Sequence, residues 1–212
     1  MKTVVYSHGF GVDATSRGMF TDIAAAPPDI KFVMFNYNTF DEAGNMTVRP
    51  LPEQARMLNE QLLKAEGEVT LLSHSMGCAV AAMADLSKVA RAIFLAPPGN
   101  GSFSKEHFAQ KFGSREGAVY DPEGMSSIPR RDGTTTYVGK EYLDALDGVA
   151  VEQLYEDAAS NLPLTVICAA DDEILAKASL KVPGANNLAI PGDHDFNGAA
   201  RQGLIAKLGD LL

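Results

Sequence analysis

The sequence has no tryptophan, only two cysteines and only four histidines in 212 residues. Two cysteines cannot build a disulfide scaffold or a cysteine-rich metal cluster. Both Cys78 and Cys168 lie inside apolar runs, so buried free thiols in a reducing compartment are expected. Positive charge is also scarce. Lys and Arg number 18 against 27 Asp and Glu, a net charge of −9. That balance argues against a nucleic-acid partner or an anionic membrane surface, and it does not favour polyanionic substrates. No apolar run reaches transmembrane length, and there is no internal repeat or low-complexity tract. Met1-Lys-Thr-Val-Val-Tyr6 enters a strand directly, without the apolar segment and cleavage site of a secretory signal. The expected location is therefore cytoplasmic.

What is present is ordinary globular material, 46% apolar and 21% charged, long enough for a single domain over residues 1–212 with a real core. Apolar runs at Thr3–Ser7, Ile30–Phe35, Val69–Leu72, Arg91–Ala96, Leu164–Ala169 and Asn187–Ile190 predict six strands. Helical patterns separate several of them. They run from Thr15 to Ala25 (stopped by Pro27-Pro28), from the Pro50/Pro52 start through Leu62 and Leu63, from Cys78 to Ala84, and from Phe196 to Leu212. Asn36–Thr47 reads as a polar loop. Gly99 to about Thr136 reads as irregular, followed by short helical patterns at Gly139–Leu146 and Val151–Ala159. Continuously apolar strands separated by helices imply an α/β fold, a mostly parallel sheet covered on both faces. Such sheets carry their sites outside the carboxyl ends of the strands.

One such end stands out. Val69-Thr-Leu-Leu-Ser-His-Ser-Met-Gly77 reads as strand, tight turn and helix, with Ser75 at the apex. A serine held at positive φ needs small residues two positions away on each side, and Ser73 and Gly77 supply them. The helix that follows aims free N–H groups at the turn. A general base must come from another strand end, and His194 in Pro191-Gly-Asp-His-Asp-Phe196 follows the last strand. His8 is a weaker alternative that opens a glycine loop. His74 cannot reach round its own turn, and His107 falls in the irregular stretch and is expected to be exposed. The acid that orients the base should follow the strand Leu164–Ala169, where both Asp171 and Asp172 lie. No metal cluster competes. Gly9-Phe-Gly11 lacks the third glycine of a dinucleotide-binding loop.

The order Ser75, Asp171 or Asp172, His194 resembles the α/β-hydrolases, in particular small bacterial serine esterases and aminopeptidase-like hydrolases. The matching pieces are His8-Gly9-Phe10, Ser73-His-Ser-Met-Gly77, Pro163-Leu-Thr-Val-Ile-Cys-Ala-Ala-Asp-Asp172 and Gly192-Asp-His-Asp-Phe196. They span nearly the whole chain. The resemblance implies a single-domain α/β-hydrolase fold of about six strands, with the family's first two strands missing and a cap-like insertion at about 99–160. Counting from Pro163, the family pattern places the triad acid at Asp172. It also implies an oxyanion hole built from the backbone N–H groups of Phe10 and Met76. The expected activity is cleavage of a small carboxylic ester or related acyl compound through Ser75, Asp172 and His194, with no cofactor and no metal. The alternatives are an acyltransferase or thioesterase with the same triad, or a non-catalytic ligand-binding protein on this fold. The expected partner is a small acyl substrate, not nucleic acid or membrane. The oligomeric state stays open.

Overall fold

The computed structural model of the protein describes residues 1–26, 29–175 and 180–212. In chain order the elements are β1 (Lys2–Ser7), α1 (Met19–Ala24), β2 (Ile30–Val33), β3 (Thr39–Phe40), β4 (Met46–Val48), α2 (Leu51–Lys64), β5 (Glu68–His74), α3 (Met76–Ala82), β6 (Arg91–Leu95), α4 (Lys105–Phe108), β7 (Met125–Pro129), β8 (Thr135–Gly139), α5 (Lys140–Asp144), α6 (Val151–Asn161), β9 (Leu164–Ala169), β10 (Asn186–Ile190) and α7 (Ala199–Gly209). A π-helical turn, Ala109–Gly113, continues α4.

Six strands form one sheet in the order β10-β9-β6-β5-β1-β2, and every neighbouring pair is parallel. Among the described residues no strand lies beyond β2 or β10 in this sheet. The central strands are buried almost throughout because helices cover both faces. Side chains alternate across the pleat. Val5, Leu71, Phe94 and Val166 face α2, α3 and α6 in one core. Val4, Tyr6, Leu72, Ile93 and Ile167 face α1 and α7 in the other. Each fully buried leucine, such as Leu58 of α2 or Leu204 of α7, contributes about 2 kcal/mol relative to exposure.

A second, four-stranded sheet runs β3-β4-β8-β7. This corrects the reading of Asn36–Thr47 as a loop and of 99–136 as irregular. The reason is physical. β4 and β8 pair in parallel, Met46 to Thr136 and Val48 to Val138, across about ninety residues of chain. The strands are two to five residues long and mix apolar residues with Ser and Thr, too short for local periodicity to mark them. The region 99–160 is therefore not a single layer: β7 and β8 join this sheet, whereas α6 packs its Val151 and Tyr155 into the main core.

Two helices are also shorter than their apolar patterns. The first begins at Met19 rather than Thr15 because Ser16, Arg17 and Gly18 all have positive φ, which an α-helix cannot accommodate. The last begins at Ala199 rather than Phe196, since Phe196 and Gly198 are left-handed. Pro27-Pro28, expected to stop α1, lie outside the described residues.

Candidate active site

β5 ends at His74, α3 starts at Met76, and Ser75 between them has φ 54° and ψ −128°. A non-glycine residue is strained there, and packing around it holds the turn. The Ser75 N–H donates to the Leu95 carbonyl at 2.8 Å, which ties the turn to β6. Gly77 is indispensable for a second reason. A Cβ there would lie 2.2 Å from the Ser7 carbonyl oxygen and 2.6 Å from that of His8. Only glycine lets α3 pass so close over the end of β1. The Ser7 hydroxyl then donates to the Gly77 carbonyl at 2.8 Å. Ser73 is fully buried, and its hydroxyl has no partner among the described residues.

The loops after β9 and β10 bring two more side chains to this turn. His194 Nε2 lies 2.8 Å from Ser75 Oγ, and His194 Nδ1 lies 2.7 Å from Asp172 Oδ2. A carboxylate can only accept, so Nδ1 carries the proton and Nε2 is free to accept from the serine. Asp172 is 1% exposed. Its other oxygen accepts the N–H groups of Ile174 and Leu175, each at 2.8 Å. Burial alone would raise its pKa. The hydrogen bond and charge of His194 and the two backbone N–H groups outweigh that and hold it below the ordinary carboxylate value. Asp171 faces solvent; its carboxylate accepts from the Gly192 N–H at 3.3 Å, and its own N–H bonds the Gly192 carbonyl. It pins the two loops together and does not approach His194.

The loop His8-Gly9-Phe10 lies against the serine. A Cβ on Gly9 would come within 3.1 Å of Ser75 Cβ. Neither the Phe10 N–H nor the Met76 N–H has an acceptor among the described residues.

No family model matches the sequence, and no curated protein is significantly similar to it. Solved structures do match over the full length. A pyrethroid hydrolase from Sphingobium faniae has TM-score 0.66 at 16% identity, covering 100% of this chain and 96% of its own. An esterase domain from Rhodothermus marinus has TM-score 0.62 at 16% identity, covering 99% and 85%. The mouse α/β-hydrolase domain-containing protein 10 has TM-score 0.63 at 15% identity, covering 99% and 88%. This chain has the α/β-hydrolase fold.

Within that fold the remaining histidines have distinct environments. His8, the alternative base, is not placed to act. Its Nε2 accepts the Tyr37 N–H at 3.0 Å, and its Nδ1–H donates to the Gly9 carbonyl at 2.9 Å. Burial lowers its pKa to about 4. His74 cannot reach Ser75, as expected, but it supports His194 from behind. Its Nε2–H donates to the His194 carbonyl at 2.9 Å, which leaves Nδ1 to accept from the Ser16 hydroxyl at 3.2 Å. Burial, and then the charge of His194, lower its pKa to about 4. A neutral His74 therefore sits beside His194 at neutral pH and does not oppose a charge there.

A small pocket, partly open to solvent, adjoins Ser75. Phe10, Met76, Phe108, Phe112, Leu146 and Leu175 give it a mainly apolar wall. Phe10 packs edge-on to Phe108 at 5.4 Å and tilted against Phe112 at 5.0 Å. His107 corrects the expectation of an exposed residue: it is half-buried and lines this pocket with Ser102 and Ser104. Its signal was available in Ser104-Lys-Glu-His-Phe108. Ser104 caps α4 by accepting the His107 N–H at 3.1 Å, and Phe108 and Phe112 stand one helical turn apart. The small sheet was a second omission. From it Arg130 donates to the Gly11 carbonyl at 3.2 Å, and Asn38, just before β3, donates to that of Val12 at 3.1 Å. Both brace the loop that carries Phe10.

Among the described residues no group of His, Cys, Asp or Glu is arranged to hold a metal ion, and no helix is long and apolar enough to cross a membrane.

Proposed function

We propose that the protein is a serine hydrolase that cleaves a small carboxylic ester or related acyl compound. The carrying observation is the continuous hydrogen-bonded line from Ser75 through His194 to buried Asp172, opening onto a small apolar pocket. Structural neighbours named as esterase and pyrethroid hydrolase support the same reading.

In this mechanism Ser75 Oγ attacks the acyl carbonyl while His194 Nε2 takes its proton. Asp172 keeps His194 in the required tautomer and stabilises the imidazolium. The carbonyl oxygen becomes an oxyanion held by the N–H groups of Phe10 and Met76; one such donor is worth about two to three orders of magnitude in rate. His194 returns the proton to the departing alcohol, and water then releases the acid by the same steps in reverse. The stretch 99–160 acts as a cap through α4 and the π-helical turn, whose Phe108 and Phe112 shape a pocket suited to short acyl chains.

The test is labelling by a fluorophosphonate, then a chain-length series of acyl esters with wild type and Ser75→Ala. The expected result is a single label on Ser75 and a loss of about four or more orders of magnitude in turnover on substitution. A folded protein that neither labels nor hydrolyses any ester would favour a binding protein on this fold.

A further inference from the structure

One stretch of the Ser75 pocket differs from the rest of its wall. Apart from Ser75, the polar side chains that line it among the described residues are Ser102, Ser104 and His107. All three come from one short segment that leads into and through α4, while the other lining residues are Phe, Met, Pro, Leu and Ile. That segment is firmly held. Phe103 and Phe108 are each 3% exposed and anchor it in the core. Just ahead of it the Asn100 N–H donates to Glu152 Oε1 at 2.8 Å, and Asn100 Oδ1 accepts the Glu152 N–H at 3.2 Å, which ties it to α6. Within it the Lys105 N–H donates to Asp147 Oδ1 at 3.1 Å. The polar stretch is thus preorganised, and a ligand meeting it does not have to order it first.

The hydrogen-bonding capacity of these side chains is only partly used. The Ser102 hydroxyl donates to the Gly99 carbonyl at 3.2 Å. Ser104 Oγ accepts the His107 N–H, but its own proton has no acceptor among the described residues. Neither ring nitrogen of half-buried His107 has a hydrogen-bond partner there. Partial burial, and then the charge of Lys111, lower the His107 pKa, so its ring is neutral at pH 7. One ring nitrogen then donates and the other accepts. A hydrocarbon chain filling this pocket would displace water from these groups and leave them unpaired. A hydroxyl donates and accepts at a single atom, which matches what His107 and Ser104 offer, whereas a ketone only accepts.

We propose that the acyl chain of the substrate carries a hydroxyl group, and that His107 receives it in the pocket wall with Ser104 as a second donor. This rests on reading Ser75 as the nucleophile and the pocket as the acyl site. His107 is then a specificity-determining residue: it touches the acyl chain and takes no part in the proton transfers at Ser75 and His194.

The experiment measures kcat/KM for ethyl 3-hydroxybutyrate and for ethyl 3-methylbutyrate, which has a methyl group in place of the hydroxyl. A longer pair, ethyl 5-hydroxyhexanoate and ethyl 5-methylhexanoate, carries the same exchange farther from the ester. For each pair the ratio, hydroxylated over methylated, is compared between wild type and His107→Phe, so that intrinsic ester reactivity cancels. In at least one pair the ratio is expected to fall about tenfold in the variant, about 1.4 kcal/mol of discrimination. Unchanged ratios for both pairs in a folded variant overturn the proposal. His107→Leu serves if the phenylalanine variant does not fold. If wild type hydrolyses none of the four esters, the hydrolase reading fails, and the intact esters decide the His107 site as ligands. The imidazole proton resonances of His107, assigned by their absence from the variant, are then followed by NMR. A shift with a hydroxylated ester that its methylated partner does not produce supports the site, and the same response to both overturns it.

Discussion

Two buried neutral histidines make this protein sensitive to acid, and the size of the effect follows from their environments. His8 and His74 are each about 2% exposed, with folded pKa values near 4 against an ordinary 6.5. Between those values the unfolded chain binds a proton at each site and the folded chain does not, so stability is full above pH 6.5 and falls as pH drops. The fall from 6.5 to about 4, at about 1.36 kcal/mol per pH unit, is worth at most about 3.4 kcal/mol for each residue, of which about 3 kcal/mol is lost by pH 4. The two together approach about 7 kcal/mol, comparable with the whole stability of a typical domain. His107, lowered first by burial and then by Lys111, acts in the same direction. Asp172, held below its ordinary value, costs stability only at lower pH, where its carboxylate is protonated. The assay is urea denaturation at steps from pH 7.5 to 4.5 on wild type and His8→Gln. Glutamine keeps an acceptor for the Tyr37 N–H but takes up no proton. The difference between the two slopes isolates one histidine and should be about 1.1 kcal/mol per pH unit between pH 6 and 4.5. Parallel curves for the two proteins would refute the reasoning.

Asp172→Asn should lower turnover by about four orders of magnitude through the wrong His194 tautomer, whereas Asp171→Asn should cost about tenfold or less; side-by-side steady-state kinetics with the reverse ranking would transfer the role. Gly77→Ala should destabilise by about 3 kcal/mol, since its Cβ meets the Ser7 and His8 carbonyls. A melting temperature within 2 °C of wild type would show that α3 can shift freely, against an expected drop of about 10 °C. Both cysteines are free and buried, and burial raises their thiol pKa values. They should resist thiol reagents in the native protein and titrate as two thiols in denaturant; fewer than two would indicate oxidation.

The parallel sheet was legible because each of its strands carries an uninterrupted apolar run, such as Val4-Val5-Tyr6 or Ala92-Ile93-Phe94-Leu95, as burial on both faces of the central strands demands. The serine turn was legible because a strained apex requires small neighbours, and Ser73 and Gly77 meet the need locally. His194 was legible from its place between the last strand and the last helix. The choice between Asp171 and Asp172 was not a local matter. Adjacent residues on one loop point in opposite directions, and only the position of His194 and the N–H groups of Ile174 and Leu175 turns Asp172 inward. The small sheet stayed hidden because its strands are only two to five residues long and gain order only by pairing β4 with β8 far along the chain. His74, His107, Asn38 and Arg130 look like ordinary polar residues in sequence. Their places behind His194, in the pocket wall and beneath the Phe10 loop come from contacts between distant segments, which local patterns of polarity do not encode.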